Sequence, residues 1–153
     1  MIIYVIGSLR NPKIPDIANV LRQDGHDVFD DWWSGSEDAD EWWQKHEQIR
    51  GRSYAQALVG HHARHVFEFD KAHLDRADVG VLILPAGKSA HLELGYLVGR
   101  GKPAYVLFDG EPERFDVMYL FATKACFSLD ELLVELNPDG PKLRTVDHAP
   151  WNA

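Results

Sequence analysis

The chain has 153 residues, 45% of them hydrophobic, which is enough for one core and too little for two ordinary domains. Its formal net charge of −8 would repel a polyphosphate backbone, and no run of Lys or Arg offsets that charge locally; a nucleic acid polymer is excluded as a partner, while a small nucleoside or nucleotide is not. One cysteine, Cys126, rules out an internal disulfide framework and a CxxC metal site, and the first apolar run is too short for a signal-peptide core or a membrane span, so a soluble cytoplasmic protein is expected.

Ile2-Ile3-Tyr4-Val5-Ile6 is continuously apolar and rich in β-branched residues, as a strand buried on both faces should be, and Gly7-Ser8 ends it. Ile14, Ile17, Ala18 and Leu21 recur at helical spacing and Gly25 follows, predicting a crossover helix over residues 13–24. Val28-Phe29 forms the core of a short second strand. Residues from about 31 to 60 mix acids with Trp32, Trp33, Trp42 and Trp43 and read as an insertion carrying one or two helices.

Val66, Phe67, Phe69, His73, Leu74 and Ala77 fit a helix ending at Asp78, and Val79 to Leu84 form the third strand. A helix over 90–100, a strand from Ala104 to Phe108, a short helix from Phe115 to Phe121, a strand near Cys126 to Ser128 and a helix from Leu129 to Leu136 complete the pattern. Strands alternating with helices predict an α/β fold, a doubly wound, Rossmann- or flavodoxin-like parallel five-stranded sheet with helices on both faces. It forms a single domain over 1–136, and 137–153, with Pro138, Gly140, Pro141 and Pro150, reads as an extended C-terminal tail.

The segment from Asp78 to Lys102 places one carboxylate where such a sheet binds ligands. The third strand ends at Pro85-Ala86-Gly87, a helix opens at Ser89, and Glu93 falls in its first turn, facing the crevice at the carboxyl ends of the strands. Glu93 is therefore the candidate for the chemistry. The alternative is that an acid in a first helical turn merely complements the helix dipole, worth roughly 0.3–1 kcal/mol.

His91-Leu-Glu93-Leu-Gly-Tyr-Leu-Val-Gly-Arg-Gly-Lys102-Pro103, preceded by Asp70 and by the opening Gly7-Ser-Leu-Arg10, resembles the nucleoside 2-deoxyribosyltransferase family and its relatives, the deoxynucleoside 5′-monophosphate N-hydrolases. The resemblance covers roughly residues 1–30 and 62–130, and Glu-Leu-Gly-Tyr after a strand and loop is its most specific element. It implies that Glu93 is a nucleophile attacking the anomeric carbon through an oxocarbenium-like state. A second nucleobase resolving the glycosyl-enzyme makes a transferase; water makes a hydrolase. A non-catalytic nucleotide-binding module is the reading from a different class.

The same resemblance makes Asp70 the acid that protonates the leaving base; otherwise Asp70 is a solvated helix position paired with Lys71 or Arg64. Gly7, Ser8, Arg10 and Asn11 become a sugar or 5′-phosphate pocket, with Arg10 the phosphate partner. Two departures stand out. Six residues before Glu93, where the transferases have an aspartate and the hydrolases a serine, stands Gly87, beside Lys88 and Ser89. Two residues before Met118 stands Asp116, which would repel a phosphate and accept from a free 5′-hydroxyl. In the family this Met-preceding segment comes from a neighbouring subunit, implying a homo-oligomer, at least a dimer, with shared active sites.

Trp32, Trp33, Trp42 and Trp43 can form an aromatic wall on which a base stacks, Trp32 being the candidate for the substrate pocket; the other reading makes them core or interface anchors. Asp30 and Asp31 either read a base or end the second strand, Asp78 caps the turn into the third, and Tyr96 packs under the nucleophile loop. His61 and His65 stand four apart but lack the partners of a metal motif, so no metal and no cofactor is expected. The expected partners are a nucleoside or nucleotide and a free nucleobase.

Overall fold

The structure is a computed structural model and describes residues 1–139; the expected C-terminal tail beyond Asp139 lies outside the described residues. Five parallel strands, β1 (Ile2–Ile6), β2 (Asp27–Phe29), β3 (Val79–Ile83), β4 (Ala104–Leu107) and β5 (Lys124–Cys126), form one sheet in the order β2-β1-β3-β4-β5. The expected fold class is observed. The last strand lies two residues earlier than expected, because Ser128 is used instead to cap the following helix through its hydroxyl.

Alternation along β1 divides the core. Ile3 and Val5 meet α1 (Ile14–Gln23) and the closing helix Leu129–Leu136 on one face. Tyr4 and Ile6 meet the two helices on the other, Leu74 and Ala77 at the end of His61–Arg76 and Ala90, Leu94 and Leu97 of Lys88–Gly99. The insertion between β2 and the long helix consists of a 3₁₀ turn, Asp31–Gly35, then α2 (Ala39–Ile49) and α3 (Tyr54–Leu58). The remaining helices are then α4 (His61–Arg76), α5 (Lys88–Gly99) and α6 (Leu129–Leu136). Helix α4 begins well before the expected Val66; its first turns carry His61, His62 and His65, whose polarity hides the helix from apolar periodicity.

A close approach sets the height of α5 on the sheet. A Cβ on Gly80 would stand 2.4 Å from Leu97 Cδ1 and 3.1 Å from Ile6 Cδ1, so only glycine lets Leu97 seat against β3. Crossovers from the adjacent strands β1 and β3 leave to opposite faces, which opens the ligand crevice of a doubly wound sheet between their carboxyl ends.

Asp78 is structural as expected: its carboxylate accepts the Ile2 amide at 2.7 Å. Cys126 is buried as a small hydrophobe. Asp30 stands just before the 3₁₀ turn after β2 without a side-chain capping bond and pairs with Arg22, which favours the strand-ending role.

Candidate active site

Glu93 is the sixth residue of α5, in its second turn rather than its first, and the first turn holds no acid. This correction removes the helix-dipole explanation, which acts within the first turn. Glu93 falls three residues after Ala90 and four before Leu97, on the stripe that α5 presses against the sheet. A carboxylate placed among apolar neighbours is costly unless something there uses it.

Three groups meet at this point. Tyr4, 1% exposed on β1, hydrogen-bonds the Glu93 carboxyl through its hydroxyl, and Asp70 of α4 stands close enough to act on both electrostatically. Burial raises the Glu93 pKa to about 7; the Tyr4 hydrogen bond pulls it down and the Asp70 charge pushes it up. Burial likewise raises Asp70, against a lowering influence from His73 one turn on. The Tyr4 phenol is raised by burial and by both carboxylates, so it stays protonated and acts as a donor. Tyr4 was not foreseen as a functional residue. The available signal was the lone hydroxyl in a wholly apolar strand, since a buried tyrosine hydroxyl usually finds a polar partner.

Asp70 is not the solvated, Lys71-paired residue of the alternative reading. Lys71 bonds Asp75 at 2.8 Å, and Asp70 shares the inward stripe of α4 with His73 and Leu74. His73 in turn stacks on Phe29 of β2, with ring centroids 3.8 Å apart at 9°. The ends of α4 and α5 are locked together. Lys102 Nζ donates to the Leu74 and Asp75 carbonyls at 3.2 and 2.6 Å, capping α4, and the Tyr96 hydroxyl donates to Asp75. Tyr96 thus points to α4 instead of packing under the nucleophile loop. The lock fixes Asp70 relative to Glu93.

The loop residues divide between site and scaffold. Gly7 makes the turn out of β1, where a Cβ would stand 2.6 Å from Ile14 Cδ1. The Ser8 hydroxyl accepts the Arg10 amide at 3.1 Å. Asn11, 2% exposed, is a structural bracket: its side-chain oxygen accepts the Lys13 amide at 3.0 Å and its amide nitrogen reaches Pro85 O at 3.5 Å. Arg10, expected to hold a phosphate, is engaged by Glu41 of α2 at 3.2 Å. Across the crevice, Gly87 caps α5 in extended backbone, and Lys88 and Ser89 follow it, exposed.

Trp32 is a core anchor. Its indole N–H donates to Val5 O at 2.8 Å and its ring packs against both halves of the core; Trp33 donates to Asn11 O at 3.1 Å. The polar edge of Trp32 closes the end of β1, and its ring lies 3.5 Å from where a Cβ on Gly7 would stand. Asp116 caps the 3₁₀ turn Val117–Phe121 by accepting the Met118 amide at 2.8 Å, and Met118 itself is exposed. Neither touches the Tyr4–Glu93–Asp70 cluster in the single chain. They border a groove of about 640 Å³ on the other side of α5, with Leu94, Val98 and Phe121. His91 links that turn to α5: its Nδ1–H donates to Gly87 O at 2.7 Å, leaving Nε2 to accept from the Tyr119 hydroxyl at 2.9 Å. Among the described residues no His, Cys, Asp or Glu cluster has the form of a metal site, and no helix is long and apolar enough to cross a membrane.

The architecture is shared with solved enzymes. The 2-deoxyribosyltransferase of Bacillus psychrosaccharolyticus superposes with a TM-score of 0.58 at 19% identity, covering 87% of this chain and 90% of that one. The CMP N-glycosidase of Clostridium botulinum superposes with a TM-score of 0.53 at 13% identity, covering 90% of this chain and 99% of that one. No family model matches the chain, and no curated protein matches it by sequence. At these identities the likeness defines the class of fold, a doubly wound α/β sheet with its crevice at the β1–β3 switch point.

Proposed function

We propose that this protein cleaves the N-glycosidic bond of 2′-deoxynucleosides through a covalent glycosyl-Glu93 intermediate and transfers the deoxyribose to a second base. The observation that carries the reading is the Glu93 carboxyl, set on an apolar helix stripe, tuned to about pH 7 and held by the Tyr4 hydroxyl beside Asp70. A group poised there is ionised in a useful fraction at neutral pH and desolvated enough to attack. In the first step the C1′–Oε bond forms as the C1′–N bond breaks, and the leaving base takes a proton from Asp70, whose pKa burial shifts upward. In the second step an incoming base attacks C1′, its N–H proton passes to Asp70, and Glu93 departs as carboxylate. Two inversions retain the anomeric configuration.

The fold neighbours support this class of chemistry, one being a 2-deoxyribosyltransferase and the other a CMP N-glycosidase. Hydrolysis, with water in place of the second base, is the second reading, and the glycosidase neighbour favours it. A free nucleoside is preferred to its 5′-monophosphate, since Glu41 already offsets the charge of Arg10 and Asp116 adds a negative one. The protein works as a homo-oligomer: Val117, Leu120 and Phe121 are 70%, 87% and 71% exposed, an apolar stretch suited to burial against a second copy, whose site Asp116 would complete.

The test incubates the protein with 2′-deoxynucleosides and a different free base, and separately with deoxynucleoside monophosphates in water. Exchanged nucleoside identifies the transferase, free sugar the hydrolase, and acid-quenched protein should carry a deoxyribosyl adduct by intact mass. If Glu93→Ala releases or exchanges base as fast as the parent, both readings fail.

A further inference from the structure

Asp75, in the last turn of α4, gathers three groups that no step of the proposed reaction uses. Lys71 Nζ donates to its Oδ2 at 2.8 Å, the Tyr96 hydroxyl donates to its Oδ1, and Arg100 Nε stands 3.8 Å from the same Oδ1. The Tyr96 ring is flanked by the same two cations, with Lys71 Nζ 5.6 Å and the Arg100 guanidinium 5.5 Å from its centroid. The Lys71 bond, and after it the Tyr96 bond, holds the Asp75 carboxyl below its ordinary range, so it keeps its charge at neutral pH.

Two of these residues adjoin the carboxyls assigned to the reaction. Lys71 directly follows Asp70 on α4, and Tyr96 follows Glu93 by three residues of α5, a rise of about 4.5 Å. With its ammonium over the Tyr96 ring, Lys71 stands at the seam of the two helices on a flexible four-carbon stem. Yet it is not among the main influences on either carboxyl: burial, Tyr4 and Asp70 act on Glu93, and burial and His73 act on Asp70. Arg100 lies seven residues beyond Glu93, about two helical turns, and Lys102 is taken by the Leu74 and Asp75 carbonyls. Of these three cations, Lys71 is the one within reach of the site. Released there, it would favour the ionised form of both carboxyls, and Asp70 would give up its proton before a base could take it.

We propose that Asp75 is a positioning residue: by holding Lys71 against Tyr96 it keeps the ammonium charge away from Asp70 and Glu93. The inference rests on the proposed function for the roles of those two carboxyls. The charged and titratable groups facing the seam are Asp70, Lys71, His73 and Asp75 of α4, Glu93, Tyr96 and Arg100 of α5, Lys102 after it and Tyr4 of β1. Among them Asp75 is the anion that Lys71 bonds.

Asp75→Asn keeps the size of the side chain and an oxygen for Tyr96 but deletes the charge that binds Lys71; Asp75→Ser is the second deletion if that variant does not fold. Asp75→Asn/Lys71→Met removes the released cation as well. The carboxyl carbons of Glu93 and Asp70 are followed by NMR as the full-length proteins are titrated, each assigned by its loss in Glu93→Gln or Asp70→Asn, and pH–rate profiles are recorded in parallel. In Asp75→Asn both carboxyls should titrate about one pH unit lower than in the parent, and both limbs of the activity profile should move down with them. The double variant should return to the parent's values, because the cation has gone with the anion. Unmoved titrations in Asp75→Asn overturn the proposal, even if activity falls, since that marks a purely structural role. A double variant that stays shifted also overturns it, tracing the effect to the Asp75 charge alone. Titrations with the expected pattern in a parent that releases no base overturn the glycosidic reading and leave the restraint on Lys71 standing; turnover with unmoved titrations does the reverse.

Discussion

The hydroxyl of Tyr4, on the central strand β1, is hydrogen-bonded to the carboxyl of Glu93, on helix α5, in a space that Asp70 of α4 also faces. Burial alone would drive Glu93 toward its neutral form. The Tyr4 bond opposes that, so the carboxyl titrates near neutrality instead of remaining protonated throughout the physiological range.

Tyr4→Phe keeps the ring in the core and deletes this bond. Because the bond lowers the Glu93 pKa, its loss raises that pKa, and the ionised nucleophile appears only at higher pH. The acidic limb of kcat/KM should move up by about one pH unit, with activity at pH 7 falling roughly fivefold and recovering near pH 9. A pH–rate profile decides it; an unmoved limb separates Tyr4 from the nucleophile.

Glu93→Gln should stabilise the fold while abolishing turnover. The carboxyl has a folded pKa of about 7 against an ordinary 4.5, so below about 4.5 it is neutral in both states and carries no penalty. Between those values the unfolded chain ionises first, and above about 7 the native state bears the full cost, on the order of 2 kcal/mol for a half-buried group. Melting temperatures of the parent and Glu93→Gln should therefore coincide near pH 4 and separate by several degrees at pH 8, the variant melting higher.

Asp70→Asn removes the proposed proton donor without a change of size. For bases that leave only when protonated, kcat should fall about 10²- to 10⁴-fold, and substrates whose base is already a good leaving group should lose far less. Steady-state kinetics over such a substrate pair measures the difference. An equal loss on both would place Asp70 outside proton transfer.

The apolar 117–121 turn should hold subunits together. Leu120→Asp, at the most exposed of its apolar side chains, should convert an oligomer to monomers in sedimentation and reduce activity. Mixed oligomers of Asp116→Ala and Glu93→Ala should recover part of the activity that each lacks alone, since some sites would combine an intact nucleophile with an intact partner. A parent that sediments as a monomer, or no recovery on mixing, refutes the shared site.

The sequence by itself determined the five strands, the alternation that winds the sheet, and the placement of Glu93 on the helix that follows β3, because these follow from local periodicity and from where turns interrupt it. Local pattern failed where polar residues begin an element: the first turns of α4 carry histidines, and apolar spacing places its start too late. Only the tertiary structure decided that Glu93 lies one turn deeper than its spacing suggested, that Arg10 pairs with Glu41, and that the Trp32 indole closes the end of β1. It also brought Tyr4 to Glu93 and Asp70, which come from three elements distant along the chain. Their shifted protonation is a property of that shared, water-poor space, and no residue carries it in its own neighbourhood of sequence.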